Sequence, residues 1–405
     1  MKRTLFTGWL FAVLIEVALS GGIPDQTTDM VLLARARALA HEVLLLDSHI
    51  DVPYRLEEHD EDISRRTESG DFDYPRARMG GLDAVFAAVY VPPRREDDGT
   101  AGVYADETID RVEQFWTTWP DYFAAARSPD DVRRQFGNGR ISIILAIENG
   151  APIQGDLSRV QHYYDRGVRY ITLCHGQSNH ICDSSYDTNR PWQGLSPFGK
   201  RLVAEMNRVG MMIDVSHVSD EAFWDVLEHS RAPVIASHSS CRCFTPGWER
   251  NLTDEMIRAL ADKGGIVQIN FGDMFCNERV YREYLTRWEA IDAHIAEHGL
   301  EGQERGAFIE EYCRAHPIAR GTVRDVGQNI DHAVKLIGVD QVGLGSDFDG
   351  VGPHVPVGLK DVSAYPNLLA ELLSMGYSEA DLRKICGQNF LRVWQRIDET
   401  ARRDR

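Results

Sequence analysis

Short, continuously apolar runs recur eight times along this chain, each set off from the next by amphipathic sequence. They are Val43–Leu46, Ala84–Val91, Ile141–Ile147, Tyr170–Leu173, Met211–Val215, Val234–Ala236, Ile266–Ile269 and Val342–Leu344. A strand that is apolar at every position, not at every second one, is buried on both faces, as in a parallel sheet covered by helices. The segments between the runs supply the helices. Pro197–Val209 carries Phe198, Leu202 and Met206 at four-residue spacing, with Lys200 and Arg201 turned away. Asp220–Ser230 and Asp254–Lys263 repeat the pattern behind the N-cap residues Ser219 and Thr253, and Thr322–Ile337 stops at Gly338. Strand–helix alternation repeated eight times predicts an α/β fold, a (β/α)8 TIM barrel.

The 405 residues accommodate one such barrel with insertions or two ordinary domains. No repeat, low-complexity run or Pro/Ser-rich linker marks a second domain, so residues 21–405 are expected to form a single catalytic barrel. The rhythm breaks once. Phe271 to Arg320 is long, charged and helix-like, with Trp288, Ile291 and Ile295 on one stripe. It reads as a helical insertion after the seventh strand, either a lid, an oligomer contact or a solvated excursion.

A formal charge of −18 repels phosphate backbones and argues against a nucleic-acid partner. The seven cysteines are odd in number and contain no CxxC, which points away from a zinc ribbon or a disulfide scaffold and leaves room for one or two bridges at most. At the N-terminus, Lys2 and Arg3 precede a mostly apolar stretch from Leu5 to Leu19, interrupted by Glu16, and Ala18-Leu19-Ser20 resembles a cleavage site. Residues 1–20 are therefore expected to be a signal peptide, giving a periplasmic or secreted protein. The alternative is a retained anchor. The charged end Ala401–Arg405 carries no lipid-anchor signal, so no stable membrane attachment is expected after cleavage.

In a parallel barrel, function gathers at the carboxyl ends of the strands. Here the first strand runs into Asp47-Ser48-His49-Ile50-Asp51, the third reaches Glu148, the fourth His175, the fifth His217 and the sixth His238, and the eighth runs into Gly345-Ser346-Asp347-Phe348-Asp349. One such histidine is more often a packed structural residue. Six strands delivering ligand-type residues to one rim are not explained by packing, because buried ionisable groups are costly unless paired or metal-bound. His49 and Asp51 share a face of an extended segment, and imidazole with carboxylate suits zinc. His217 and His238, one βα unit apart, can converge on a second ion, with Glu148 placed between the two. Two ions so placed activate a shared water and polarise a carbonyl, and their charge is about balanced by Asp51, Glu148, Asp347 and a hydroxide.

Together these segments resemble the renal (membrane) dipeptidase family of zinc peptidases in the amidohydrolase superfamily. The likeness runs from about Val43 to Trp394. It rests on His49-x-Asp51, Ala146-Ile147-Glu148-Asn149-Gly150, Leu173-Cys174-His175, Asp214–Ser219, Ser237-His238-Ser239-Ser240, Arg250-Asn251 and Gly345–Gly350, with Cys182–Gly199 and Gly387–Trp394 nearer the bacterial members. The resemblance implies two zinc ions per chain, one on His49, Asp51 and Glu148 and the other on Glu148, His217 and His238. It implies that Asp347 moves the proton, that His175 polarises the scissile carbonyl, and that Arg250 grips the substrate carboxylate. It implies a small peptide substrate, with tolerance of a D-residue at the second position, and a homodimer. The animal enzymes' cysteine pattern and lipid anchor are not reproduced, and the sequon Asn251-Leu252-Thr253 falls beside Arg250, where it reads as coincidence. Competing readings are a related amidohydrolase acting on N-acyl amino acids, lactones or β-lactams, and a non-catalytic binding protein on the same barrel.

Overall fold

The protein was analysed as a computed structural model that describes residues 26–403. The N-terminal segment read as a signal peptide lies outside those residues. Nine strands form one sheet: β1 Leu45–Ile50, β2 Leu82–Tyr90, β3 Phe123–Ala125, β4 Ile141–Glu148, β5 Val168–Thr172, β6 Met212–Asp214, β7 Ile235–Ala236, β8 Ile266–Ile269 and β9 Val342–Leu344. Eight of them run in the order β1-β2-β4-β5-β6-β7-β8-β9, every neighbouring pair parallel. The ring is completed past the end of β9. There Asp347 N donates to His49 O at 3.0 Å, and Asp51 N to Phe348 O at 2.9 Å. This is the expected (β/α)8 barrel.

Two differences from the sequence reading have local causes. β1 does not stop at Leu46 but continues through Asp47, Ser48 and His49 to Ile50, all buried. Its polar residues point at partners across the barrel, which lets polar side chains sit inside a strand. The unexpected strand, β3, is three residues long and outside the barrel ring. It pairs with the first half of β4 (Ile141–Ile143), where β5 has not yet begun to pair.

Inward residues of the strands (Leu46, Ala84, Phe86, Ile144, Ala146, Tyr170, Met212, Ile235 and Ile266) form a core separate from the one beneath the helices. Its floor is the C-terminal helix Asn389–Arg403, whose Phe390 and Trp394 meet Phe86 at 5.0 and 5.6 Å between ring centroids. From Phe86 the rings continue upward to Tyr170 (5.3 Å) and to His49 (6.3 Å), so packing at the floor supports the functional rim.

The helix ends follow local chemistry. Ser196, Ser219 and Thr253 each accept a backbone N–H of the first turn of the helices Pro197–Val209, Asp220–His229 and Asp254–Asp262. Thr322 and Asp325 make a capping box for Val323–Ile337, which ends at Gly338. The insertion after β8 is helical as expected. Helix Glu278–His298 buries Val280, Tyr281, Arg287 and Ile291, whereas Gly302–Ala315 buries none of its residues. Among the described residues no helix is long and apolar enough to cross a membrane. All seven cysteines are unbridged. Asn251 is buried, with its amide group donating to Thr245 Oγ1 and Phe275 O, so the sequon serves packing.

Candidate metal centre and active site

The residues named from the sequence converge at the carboxyl end of the barrel around a single carboxylate oxygen. Glu148 Oε1, at the end of β4, lies 3.0 Å from His217 Nε2, 3.3 Å from His238 Nε2, 3.6 Å from His49 Nε2 and 3.7 Å from His175 Nε2. Asp51 Oδ2 approaches His49 Nε2 at 3.3 Å. His217 and His238 bring their Nε2 atoms within 2.8 Å of each other. Sites of three potential ligand atoms within 4.8 Å of one another arise from His49, Asp51 and Glu148, from His49, His238 and Asp347, and from Glu148, His175 and His217.

Hydrogen bonds behind these side chains settle which ring nitrogen faces the centre. Tyr170 gives its hydroxyl hydrogen to Ser48 O at 2.9 Å, so its oxygen accepts from His49 Nδ1 at 2.7 Å and turns Nε2 toward the centre. Ser237 Oγ donates to Asp214 Oδ2 at 2.6 Å and therefore accepts from His238 Nδ1 at 2.7 Å, with the same result. Such outer partners are the usual means of fixing a ligating imidazole. Asp214 is itself held by Thr172 Oγ1 at 2.5 Å and by the amides of Ser216 and Ser237.

The electrostatics suit a cation. Burial holds His217 and His238 well below the usual histidine range, and Arg250 adds to the effect, so both are neutral imidazoles. Burial pushes Asp347 well up, and the carboxylates of Asp51 and Glu148 push it further. Glu148 is held low against its burial by His49, His175, His217 and His238. His49 Nε2 is buried and makes no hydrogen bond. Converging lone pairs and crowded carboxylates in a buried site are the donor set of divalent ions with nitrogen and oxygen ligands, and the residues present fit that group.

Backbone geometry aims the ligands. His217 (φ 73°) and Asp347 (φ 63°) occupy the left-handed region, as do Asn149 and Asp349. Non-glycine residues there persist only when their surroundings hold them, and they gather at functional sites. Gly350 follows, and a Cβ at that position would run into Asp347 Oδ1 and Asp51 Oδ2.

A cavity of about 650 Å³ opens onto the cluster and is lined by Asp51, Glu148, His175, His217 and Asp347 among others. Asp347 is fixed by Asn270, whose Nδ2 donates to Oδ2 at 2.7 Å. His175 is partly exposed, its ring packed at a tilt between Tyr90 (4.6 Å) and His217 (4.2 Å). Arg250 sits behind the wall. It is 2% exposed, donates to Ser239 Oγ at 2.9 Å and His238 O at 2.8 Å, and brings Nη2 to 3.2 Å from His217 Nε2, with the Phe275 ring over its guanidinium carbon at 5.3 Å. Its Nε has no acceptor.

Sequence reasoning missed Asn270, Tyr170 and Asp214. Asn270 directly follows β8 and was open to the same strand-end argument as the histidines. Tyr170 lies within an apolar strand and gave no signal. The far wall of the cavity, with Tyr284, Arg287 and Trp288 of the insertion and His354 beyond β9, was equally hidden.

Known proteins resemble this chain in sequence and fold. The family described as membrane dipeptidase (peptidase family M19) matches residues 33–405. Dipeptidase aclJ of Aspergillus oryzae is 36% identical over 340 residues, 82% of this chain and 71% of that protein. Among solved structures, the probable dipeptidase PvdM from Pseudomonas aeruginosa superposes with a TM-score of 0.81 at 28% identity, covering 92% of this chain and all (100%) of that one. A metallo peptidase from Rhodobacter sphaeroides, solved with a phosphinate mimic of the dipeptide L-Ala-D-Ala, gives 0.72 at 26% identity, covering 87% and 99%. The chain belongs to the membrane dipeptidase family, peptidase family M19, and is a metallo-dipeptidase, a hydrolase of peptide bonds.

Proposed function

We propose that this enzyme is a two-zinc dipeptidase that hydrolyses the single peptide bond of a dipeptide, L-Xaa-D-Xaa substrates included. The observation that carries the two-ion reading is the meeting of four imidazole nitrogens on one oxygen of Glu148. His49, Asp51 and Glu148 would hold one ion, and Glu148, His217 and His238 the other. When bound, the ions supply a water of lowered pKa and a Lewis acid for the scissile carbonyl. Asp347 then takes a proton from the attacking water and returns it to the departing amine, with Asn270 keeping its carboxylate in place. His175, on the cavity wall, donates to the carbonyl oxygen as charge develops there. The carboxylates of Asp51, Glu148 and Asp347 give the substrate's free amine an acidic wall. Arg250, set behind the cavity wall beside His217, is the cation assigned to the substrate's main-chain carboxylate.

The length limit follows from anchoring both ends. Each extended residue adds about 3.3–3.6 Å, so a tripeptide leaves one charged end unpaired, at a cost of roughly 1–3 kcal/mol or more. The L-Xaa-D-Xaa part draws on the mimic bound by the Rhodobacter sphaeroides relative. A panel of matched dipeptides, tripeptides, dipeptide amides and N-acetyl amino acids tests the reading. Dipeptides should lead clearly in kcat/KM. Comparable rates on tripeptides or N-acetyl amino acids would favour the broader amidohydrolase activity instead.

A further inference from the structure

The cavity wall opposite the metal ligands carries a cation that the mechanism does not use. Arg287, on the insertion helix Glu278–His298, is only 9% exposed, yet it lines the cavity. Its one polar contact among the described residues is from Nη2 to His354 Nε2, at 3.0 Å. Its buried Nε has no partner. Glu283, one turn before it on the same helix, pairs with Arg279 and the amide of Ala319, while Glu278 pairs with Arg282 and Asp273 with Arg320. Arg55, another cation on the same cavity, differs in being neutralised by Glu61 at 3.0 Å and Asp349 at 3.3 Å.

His354 cannot neutralise Arg287. Burial, reinforced by Arg287 and Arg320, pushes its imidazole down to about 4, so it stays neutral and accepts from the guanidinium. Its Nδ1 turns toward Asp273 Oδ1, 3.7 Å away. His354 thus orients Arg287 without cancelling its charge. Beside it, Trp288 lines the same wall, its buried Nε1 directed at the Tyr284 hydroxyl. A buried guanidinium without a counter-charge is costly. An uncompensated guanidinium on the wall of a substrate cavity is matched by a carboxylate that enters with the substrate.

Building on the dipeptidase reading, we infer that Arg287, flanked by Trp288, forms a side-chain subsite for an acidic residue, so that dipeptides containing Glu or Asp are preferred substrates. The main-chain carboxylate belongs to Arg250, in contact with the histidine His217 at 3.2 Å. Arg287 touches none of the metal-ligating residues and meets a group that projects farther from the scissile bond.

The test compares kcat/KM for Ala-Glu against Ala-Gln and for Glu-Ala against Gln-Ala, in the zinc-loaded wild type and in Arg287→Met and Arg287→Lys. Glutamine matches glutamate in shape and lacks only the charge, and a ratio cancels any general loss of activity in a variant. In the wild type the acid should exceed its amide partner in at least one pair by roughly 10- to 100-fold, the worth of a charge-assisted pair. Arg287→Met should bring that ratio to about 1, and Arg287→Lys should keep part of it. Ala-Ala turnover in the same assays reports on the dipeptidase reading by itself: Ala-Ala cleaved with equal rates on acid and amide overturns the subsite alone, whereas no dipeptide cleavage overturns both. An acid preference that survives in Arg287→Met also overturns it. So does a variant that loses discrimination between a dipeptide and its C-terminal amide while keeping the Glu/Gln ratio, because Arg287 would then be the main-chain anchor.

Discussion

Asp347 and Asp51 approach the backbone of Gly350 so closely that no side chain fits between them. Gly350→Ala should therefore displace both carboxylates while leaving the barrel intact. A shift of about 1 Å at reacting groups costs on the order of 10²-fold, and that loss in kcat is expected with a nearly unchanged circular dichroism spectrum. Near-normal turnover would show that the loop yields without moving the carboxylates. Asp347→Asn probes the chemistry at the same place. The amide keeps the shape and removes the base, so kcat should fall by about 10²–10⁴ with metal content retained. Loss of metal in that variant would make Asp347 a ligand instead. The sequence displayed the candidate ligands because an ionisable residue at the end of an apolar strand has few other uses. It could not display the left-handed backbone at His217 and Asp347, which depends on what packs around those residues.

Strands act on the site through what lies behind it. Asp214, the last residue of β6, accepts from Ser237 Oγ and so makes the serine an acceptor for His238 Nδ1. In Asp214→Asn an amide N–H can face that hydroxyl, turning it into a donor toward His238 Nδ1. The proton then moves to Nε2 and the ligating lone pair is lost. Affinity for one ion should weaken by roughly 10–100-fold, measured by chelator competition; unchanged affinity would show that Asp214 only braces the strand. At the other end of the barrel, burial raises Asp83 on β2 to about 6, although it accepts from Leu45 N at 3.1 Å. Because the folded carboxyl holds its proton above the unfolded value near 3.8, stability is lost as pH rises from about 4 to 6. Asp83→Asn should remove that slope and raise stability at pH 7 by up to ~3 kcal/mol. Denaturation midpoints at pH 4.5 and 7 check this, and a variant as pH-dependent as the wild type contradicts it. Asp83 and β3 show where strand reading from sequence stops. A run such as Phe123–Ala125 is too short to stand out, and the polar stretch Asp47–His49 looks like a loop until its partners, Tyr170 and Ser237 among them, are seen across the barrel.

At the scale of the whole molecule the metal centre ties together distant parts of the chain. His49 comes from β1 and Asp51 directly follows it, Glu148 comes from β4, and His217 and His238 follow β6 and β7. In the unfolded chain these residues are far apart, so ions that bind them bind the folded state almost exclusively. The apoprotein must also bury Asp51, Glu148 and Asp347 side by side, which the raised Asp347 registers. At a free concentration about 1,000 times its Kd, each ion adds about 4 kcal/mol. Unfolding entropy of about 2.1 cal/mol/K per residue makes 1 kcal/mol worth roughly 1 °C in a chain of this size. Removing two ions should then lower Tm by roughly 10 °C. Chelator-treated protein should melt earlier, and stepwise return of zinc should restore Tm and activity together, with a break at two equivalents per chain. A break at one equivalent would establish a single-ion centre, and an unchanged Tm on complete metal removal would mean that the buried carboxylates are neutralised without metal.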